Sequence, residues 1–288
     1  MFKRALTALL LIPPVLYVVG WSPWWLFLLA VIAAVELGLR EYFALIRQMG
    51  LRAFEHLGYV AGAALCVGQL LPGVWNLALA ASVIFLLLIP MLALRSSVDL
   101  KSYLVATAAT IFGILYIGLG LSFLVAFRFS VPHQWIESLF GLVSAGTPGL
   151  GAGARVLLLL FLIIWADDTV AYFVGKTVGR TPFFARISPR KTWEGAIGGL
   201  VGSLLVAWGF AHWFWKDANL KVVIVVAAWV GIIAQFGDLV ESAIKRGANQ
   251  KDSGSLLPGH GGFLDRIDSL LFAAPALWLV IVAKGILG

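Results

Sequence analysis

Long apolar runs alternate with short polar loops along almost the whole chain, and they predict helices rather than strands. Runs of this kind recur at about 17–25 residues, the length a helix needs to cross roughly 30 Å of hydrocarbon. We read nine such spans, at about 5–20, 23–39, 57–72, 76–94, 102–127, 156–173, 196–215, 222–242 and 269–286. The runs are too continuous for the in–out alternation of a membrane β-barrel. Backbone inside lipid must satisfy its own hydrogen bonds, so an all-α, polytopic membrane bundle is expected. Residues 40–56 read as a short amphipathic helix lying on the headgroups.

Composition agrees with that architecture: the 288 residues are 61% hydrophobic and 12% charged. The net charge of +7 raises the question of nucleic acid, but the basic residues sit in short loops rather than on one soluble face. Topology and anionic lipid explain them better, so no nucleic-acid partner is expected. With the N-terminus inside, 16 of the 21 Lys and Arg residues fall on cytoplasmic segments and 5 outside: Arg128, Arg155, Lys216, Lys221 and Lys284. That bias predicts a cytoplasmic N-terminus and an outside C-terminus. Trp21, Trp24, Trp25, Trp75, Trp135, Trp213 and Trp215 are expected at outer interfaces. Pro13-Pro14 interrupts the first run and no small-residue cleavage site follows, so it reads as an uncleaved span. The single cysteine, Cys66, excludes a disulfide framework and a cysteine metal site. The segment 132–153, with Gly146, Gly149, Gly151 and Gly153, reads as a flexible outside loop in which His133 is an ordinary solvated side chain. Glu36 and Glu137 read as interfacial carboxylates.

Polar chemistry is uneven. The first five spans carry little, which suggests a scaffold half over 1–150 and a catalytic half over 151–288 of one membrane domain. In the second half, Asp167 and Asp168 come late in the sixth span, Asp238 and Glu241 end the eighth, and Asp265 and Asp268 begin the ninth. The last two pairs are spaced i,i+3 and so share a helix face. A carboxylate at membrane depth costs several kcal/mol unless it is paired or metal-bound. Inert pairing with Lys245, Arg246 and Arg266 is the bland alternative, but six carboxylates exceed what that needs. Hard oxygen ligands from several helix ends suit Mg²⁺, which completes its shell with water and phosphate oxygens.

Basic residues approach the same edge. The loop 175–195 carries Lys176, Arg180, Arg186, Arg190 and Lys191, enough charge to neutralise a polyphosphate. Ser188 or Thr192 is placed to cap the helix that follows. An ordinary topogenic loop would not need the added Ser-Pro, Gly and Glu194 punctuation. Over 242–268 the chain packs Lys245, Arg246, Lys251, Asp252, His260, Asp265, Arg266 and Asp268 among five glycines. Its Gly254, Pro258, Gly259, Gly261 and Gly262 make a turn whose amides can approach an anion. His260 is a candidate general acid or phosphate donor, although a loop histidine is often only solvated. Gly175-Lys-Thr and Gly149-x-Gly-x-x-Ala154 echo nucleotide motifs, but neither has the required strand context. Gly195, Gly198, Gly199 and Gly202 form overlapping small-xxx-small patterns, which favour close packing within the chain or in a homodimer.

Together these motifs resemble one family. Ser242-x-Ile-Lys-Arg, Lys251-Asp-x-Gly and Leu257-Pro-x-His-Gly-Gly-Phe-x-Asp-Arg-Ile-Asp268 look like the signature of the phosphatidate cytidylyltransferases, or CDP-diacylglycerol synthases. Asp167-Asp-Thr-x-Ala-Tyr-x-x-Gly-Lys and Ile187-Ser-Pro-x-Lys-Thr-x-Glu-Gly are similar to it as well. The resemblance is specific over about 160–270 and elsewhere extends only to being multi-span.

It implies that CTP and phosphatidic acid give CDP-diacylglycerol and pyrophosphate. The charge topology puts these motifs on the cytoplasmic face, and the compact loops without a transit peptide favour a bacterial inner membrane. It also implies a paired metal centre, Mg²⁺ with a second cation. We expect Asp238, Asp265, Asp268 and Asp168 to hold the metal. Lys245, Arg246, His260 and Arg266 join those of 238, 265 and 268 as catalytic candidates, and Lys176, Arg180, Ser188, Lys191, Lys251 and Asp252 as substrate-binding ones. The competing class is an ion- or proton-coupled transporter, since intramembrane carboxylates often mark such pathways. It predicts internal repeats and broken helices, and no repeat is apparent. A CDP-alcohol phosphotransferase would carry Asp-Gly-x-x-Ala-Arg, which is missing.

Overall fold

The computed structural model describes residues 12–70, 88–94, 99–142, 150–256 and 261–287. It is helical apart from one short hairpin, and the chain divides into two compact units. The first comprises Met1–Ser130 and Ala243–Ile267, the second Val131–Ser242 and Asp268–Gly288.

In the first unit, helix α1 (Trp24–Gln48) and helix α2 (Glu55–Gly68) are joined by a tight turn. Gly50 takes a φ of +75°, and its amide donates to Arg47 O at 2.9 Å, a left-handed helix stop that favours glycine. Residues 40–48 therefore continue α1 instead of forming a separate helix over 40–56. The reason is packing: Tyr42, Phe43, Leu45 and Ile46 are all buried, so this stretch has a core to face. Helix α3 runs over Leu100–Ser130 and is widened at Ile114–Leu119 and Ala126–Ser130 by π-type turns. Ala61, Leu65, Ile89 and Ile114 form a buried cluster between these elements. Phe54 N donates to Thr110 Oγ1 at 2.8 Å and Tyr42 Oη to Ala109 O at 2.9 Å, which fixes α1 and α2 against α3. Cys66 is a buried free thiol.

The second unit holds α4 (His133–Phe140), α5 (Ala152–Thr177), the strands β1 (Pro182–Phe184) and β2 (Ser188–Thr192), and α6 (Trp193–Phe214). Most of α7 (Leu220–Gly247) and α8 (Leu264–Leu287) belongs to it as well. The glycines of α6 face α5. A Cβ on Gly199 would stand 2.9 Å from Asp167 O, and one on Gly202 2.7 Å from Val170 Cγ2. Their absent side chains let the two backbones approach, so the small-residue seam is filled within the chain.

Two expectations change here. The segment 132–153 is partly helical, because Ile136 and Phe140 of α4 are fully buried; 143–149 lies outside the described residues. Trp215 is not interfacial: it is 2% exposed and packs against Phe140 and Phe210, with ring centroids 4.8 and 5.2 Å away. Trp21, Trp24, Trp25 and Trp213 are exposed.

Five helices among the described residues are long and apolar enough to cross a membrane: Leu100–Ser130, Ala152–Thr177, Trp193–Phe214, Leu220–Gly247 and Leu264–Ile286. The chain is an integral membrane protein. Of the other expected spans, 23–39 falls in α1 and 57–72 begins in α2, which ends at Gly68; residues 71–72 and much of 5–20 and 76–94 lie outside the described residues.

Candidate functional site

The loop after α5 is not irregular. Its Pro182–Phe184 and Ser188–Thr192 segments pair as an antiparallel hairpin, closed by Ile187 N donating to Phe184 O at 3.1 Å. The Glu194 carboxylate, in the first turn of α6, accepts the amides of Arg180 and Thr181, each at 3.2 Å. Thr192 caps α6, its Oγ1 accepting from Gly195 N at 3.1 Å. Phe183 packs edge-on against Trp193, with centroids 4.4 Å apart. The punctuation noted in the sequence thus has a job: Glu194 and Thr192 anchor the hairpin to the helix it precedes. That makes β2 a fixed arm, and its Lys191 ends in an ion pair with Asp238 of α7. Arg186 and Arg190 are exposed on the hairpin, Ser188 is half-buried, and Lys176 and Arg180 are exposed beside its base.

In the same unit, carboxylate oxygens of Asp238, Glu241 and Asp268 lie within 4.8 Å of one another. Glu241 is fully buried and Asp268 nearly so. Helical spacing puts Asp238 and Glu241 on one face of α7. Their approach to Asp268 depends on Gly237, where a Cβ would come 2.7 Å from Asp268 O. Three carboxylates this close repel unless a cation is shared or protons intervene. All donors are hard oxygens, and two come from one helix and one from another. That is a donor set that fits Mg²⁺, which accepts few carboxylates and keeps positions for water or phosphate. Asp168, the neighbour of this group in the expected metal set, is exposed. Asp167 is buried; its Oδ1 accepts from Ser203 Oγ at 3.2 Å and Gln235 Nε2 at 3.0 Å.

The first unit holds the other charged cluster. Lys245 pairs with Asp265, Nζ to Oδ1 at 2.5 Å, and Lys245 is 8% exposed. Asp265 Oδ2 also accepts from Ser253 N at 2.9 Å and Gly262 N at 2.8 Å. Asp265 is therefore bound to a lysine and to loop amides, whereas the converging acids are Asp238, Glu241 and Asp268. Arg246 donates to Gln250 O at 2.9 Å and is exposed, as are Lys251, Asp252 and Arg266. His260 lies outside the described residues.

With this geometry in view, comparison with known proteins is decisive. The family model described as the cytidylyltransferase family matches residues 2–283. The chain belongs to that family. It is 33% identical over 274 residues to phosphatidate cytidylyltransferase 5, chloroplastic, of Arabidopsis thaliana, covering 91% of this chain and 67% of that one. It is 35% identical over 260 residues to the plant's phosphatidate cytidylyltransferase 4, chloroplastic, covering 86% and 65%. Phosphatidate cytidylyltransferase of Staphylococcus aureus (strain COL) is 39% identical over 158 residues, 52% of this chain and 61% of that one. The chain thus spans about two thirds of the length of these relatives.

Two side chains stand in these clusters beyond the expected site residues. Glu241 was visible as the i,i+3 partner of Asp238, a spacing that already placed it on the same face. Glu41 of α1 carried no such signal, because its partners lie more than two hundred residues away.

Proposed function

We propose that this chain transfers the cytidylyl group of CTP to phosphatidic acid, giving CDP-diacylglycerol and pyrophosphate. The observation that carries the reading is the family match along residues 2–283, joined by relatives that bear the name phosphatidate cytidylyltransferase. A phosphate oxygen of the lipid forms the new bond to the α-phosphorus of CTP, and the bond from that phosphorus to the β-phosphate bridging oxygen breaks. The electron pair leaves with pyrophosphate. Such a transfer needs little covalent help from protein; positioning and charge neutralisation dominate.

Asp238, Glu241 and Asp268 would hold Mg²⁺, which when bound supplies neutralisation of phosphate charge. Lys191, on its anchored strand, presents an ammonium beside Asp238 and can exchange that partner for a phosphate oxygen. Arg180, Arg186 and Arg190 supply exposed guanidinium groups around the same hairpin, suited to bidentate phosphate contacts. Lys245 is held by Asp265, which the amides of Ser253 and Gly262 also bind. Buried charge of this kind orients a loop and keeps water from reorganising around it.

The working face is cytoplasmic, where CTP is supplied, and the bilayer is a bacterial plasma membrane. The 16 to 5 division of Lys and Arg supports that orientation. One assay tests the reaction: pyrophosphate release by the purified protein from CTP, with phosphatidate present or omitted, in Mg²⁺ or in EDTA. Release that ignores phosphatidate, or none at saturating Mg²⁺, sinks the reading.

A further inference from the structure

Glu41 lies in the C-terminal half of α1, a helix that also carries Glu36, Arg40 and Arg47, and it is 8% exposed. Its carboxylate has three donors within the first unit. Ser253 Oγ donates to Oε2 at 2.8 Å, Phe263 N to Oε1 at 2.9 Å and Leu264 N to Oε2 at 2.8 Å. The two amides stand at the start of α8, where N–H groups have no acceptor inside the helix. A carboxylate there satisfies them and matches the positive end of the helix dipole.

The hydrogen bonds continue past Glu41. Ser253 Oγ accepts from Asp265 N at 3.3 Å and stands 3.1 Å from Asp265 Oδ2. A hydroxyl has one proton, and the shorter contact gives it to Glu41. Asp265 in turn holds Lys245. A chain of contacts therefore runs Glu41, Ser253, Asp265, Lys245, with only the last two expected at the chemistry. The loop is shaped to admit it: a Cβ on Gly254 would come 2.5 Å from Glu41 Oε1, and one on Gly262 would overlap Ser253 Oγ.

We propose that Glu41 is a positioning residue for the reaction, fixing the segment at Ser253 and the first turn of α8 so that Asp265 and Lys245 keep one geometry. The inference rests on the reading of that segment as part of a cytidylyltransferase site. Losing a merely structural acid would lower stability alone. Losing a positioning acid also loosens the segment around Ser253 and slows turnover in protein that is still folded.

The test uses Glu41→Gln, whose amide carries two N–H donors of its own and cannot accept at both former oxygens. Its turnover is expected to fall about 10- to 100-fold, as when a supporting partner is removed from a site. Glu41→Asp, which keeps the charge, should recover part of that loss. Glu36→Gln, on the same helix, is expected to match wild type. A second readout follows the loop itself: Ser255 is exposed, so Ser255→Cys can be timed with a maleimide, the native Cys66 being buried. Labelling should quicken in Glu41→Gln and not in Glu36→Gln. Wild-type turnover or wild-type labelling in folded Glu41→Gln overturns the proposal. If Glu41→Gln does not purify folded, the same pair of measurements on Glu41→Asp decides it. A wild-type protein without phosphatidate-dependent turnover would defeat the reaction reading instead, and the labelling arm would still judge Glu41.

Discussion

Lys191 on β2 and Asp238 on α7 form an ion pair that ties the hairpin to the helix carrying the acidic cluster. Both side chains are more than a quarter exposed, 29% and 27%, so solvent screens the pair. Pairs of this exposure contribute ~0–1 kcal/mol, too little to explain an arm anchored by Glu194 and Thr192. The pair is better placed to hold a cation ready for exchange. Lys191→Gln should leave the melting temperature in detergent close to wild type while kcat/KM falls about 10²-fold, the usual loss for one electrostatic donor. Which KM rises, that for CTP or that for phosphatidate, tells which substrate the lysine meets. Unchanged kinetics would remove Lys191 from the site.

The acidic cluster makes a different forecast, because its members repel when no cation is present. Neutralising one should cost metal binding without costing fold. Glu241→Gln is expected to melt no lower than wild type in EDTA and to gain less on adding Mg²⁺. For scale, a ligand at a hundred times its dissociation constant stabilises by ~2.7 kcal/mol. A differential scan with and without Mg²⁺ reads both quantities. An equal Mg²⁺ gain in wild type and variant would place the metal elsewhere.

How much of this was legible beforehand follows from the range of each interaction. The helices were readable because burial in lipid demands long apolar runs, and the residue types of the site because carboxylates are costly there. Asp238 with Glu241 was readable from helical spacing. The hairpin was not: Pro182–Thr192 looks like punctuation, and its strands are held by Glu194 and by Phe183 on Trp193, contacts without periodicity. Trp215 has the composition of an interfacial residue and is buried by Phe140, 75 positions earlier, through a helix hidden in an apparent loop. The partition of the acids was also out of reach. Asp265 and Asp268 share a motif, yet one takes Lys245 and loop amides while the other joins Asp238 and Glu241.

Gly237 offers a steric test of the cluster. A methyl group there would meet Asp268 O at 2.7 Å and Phe272 Cβ at 3.2 Å, the first being backbone that cannot rotate away. Gly237→Ala must push α7 from α8 next to Asp238. Overpacking of this sort costs ~1–3 kcal/mol, which a drop in melting temperature would register. Activity should fall by more than that stability loss implies, since the carboxylates separate. Full activity in Gly237→Ala would show that their spacing is not needed.

Asp167 and Asp168 are adjacent yet opposite in character, and the difference can be measured. Asp167 is 2% exposed and receives Ser203 of α6 and Gln235 of α7, so it braces three helices. Gln235 Nε2 donates to Ala196 O at 2.9 Å as well, which leaves that amide a partner if Asp167 is lost. Asp167→Asn keeps an oxygen acceptor for Ser203 and Gln235 and should be mild in stability. Asp167→Ala removes that acceptor and leaves a hole; Ser203 and Gln235 each keep a backbone carbonyl, so the cost is that of two hydrogen bonds, ~0.5–1.5 kcal/mol each. The pair of melting temperatures should therefore rank wild type, then Asn, then Ala, with turnover following stability in both variants. If Asp167→Asn instead abolishes turnover at an unchanged melting temperature, the charge itself is required, and Asp167 belongs to the chemistry rather than to the brace.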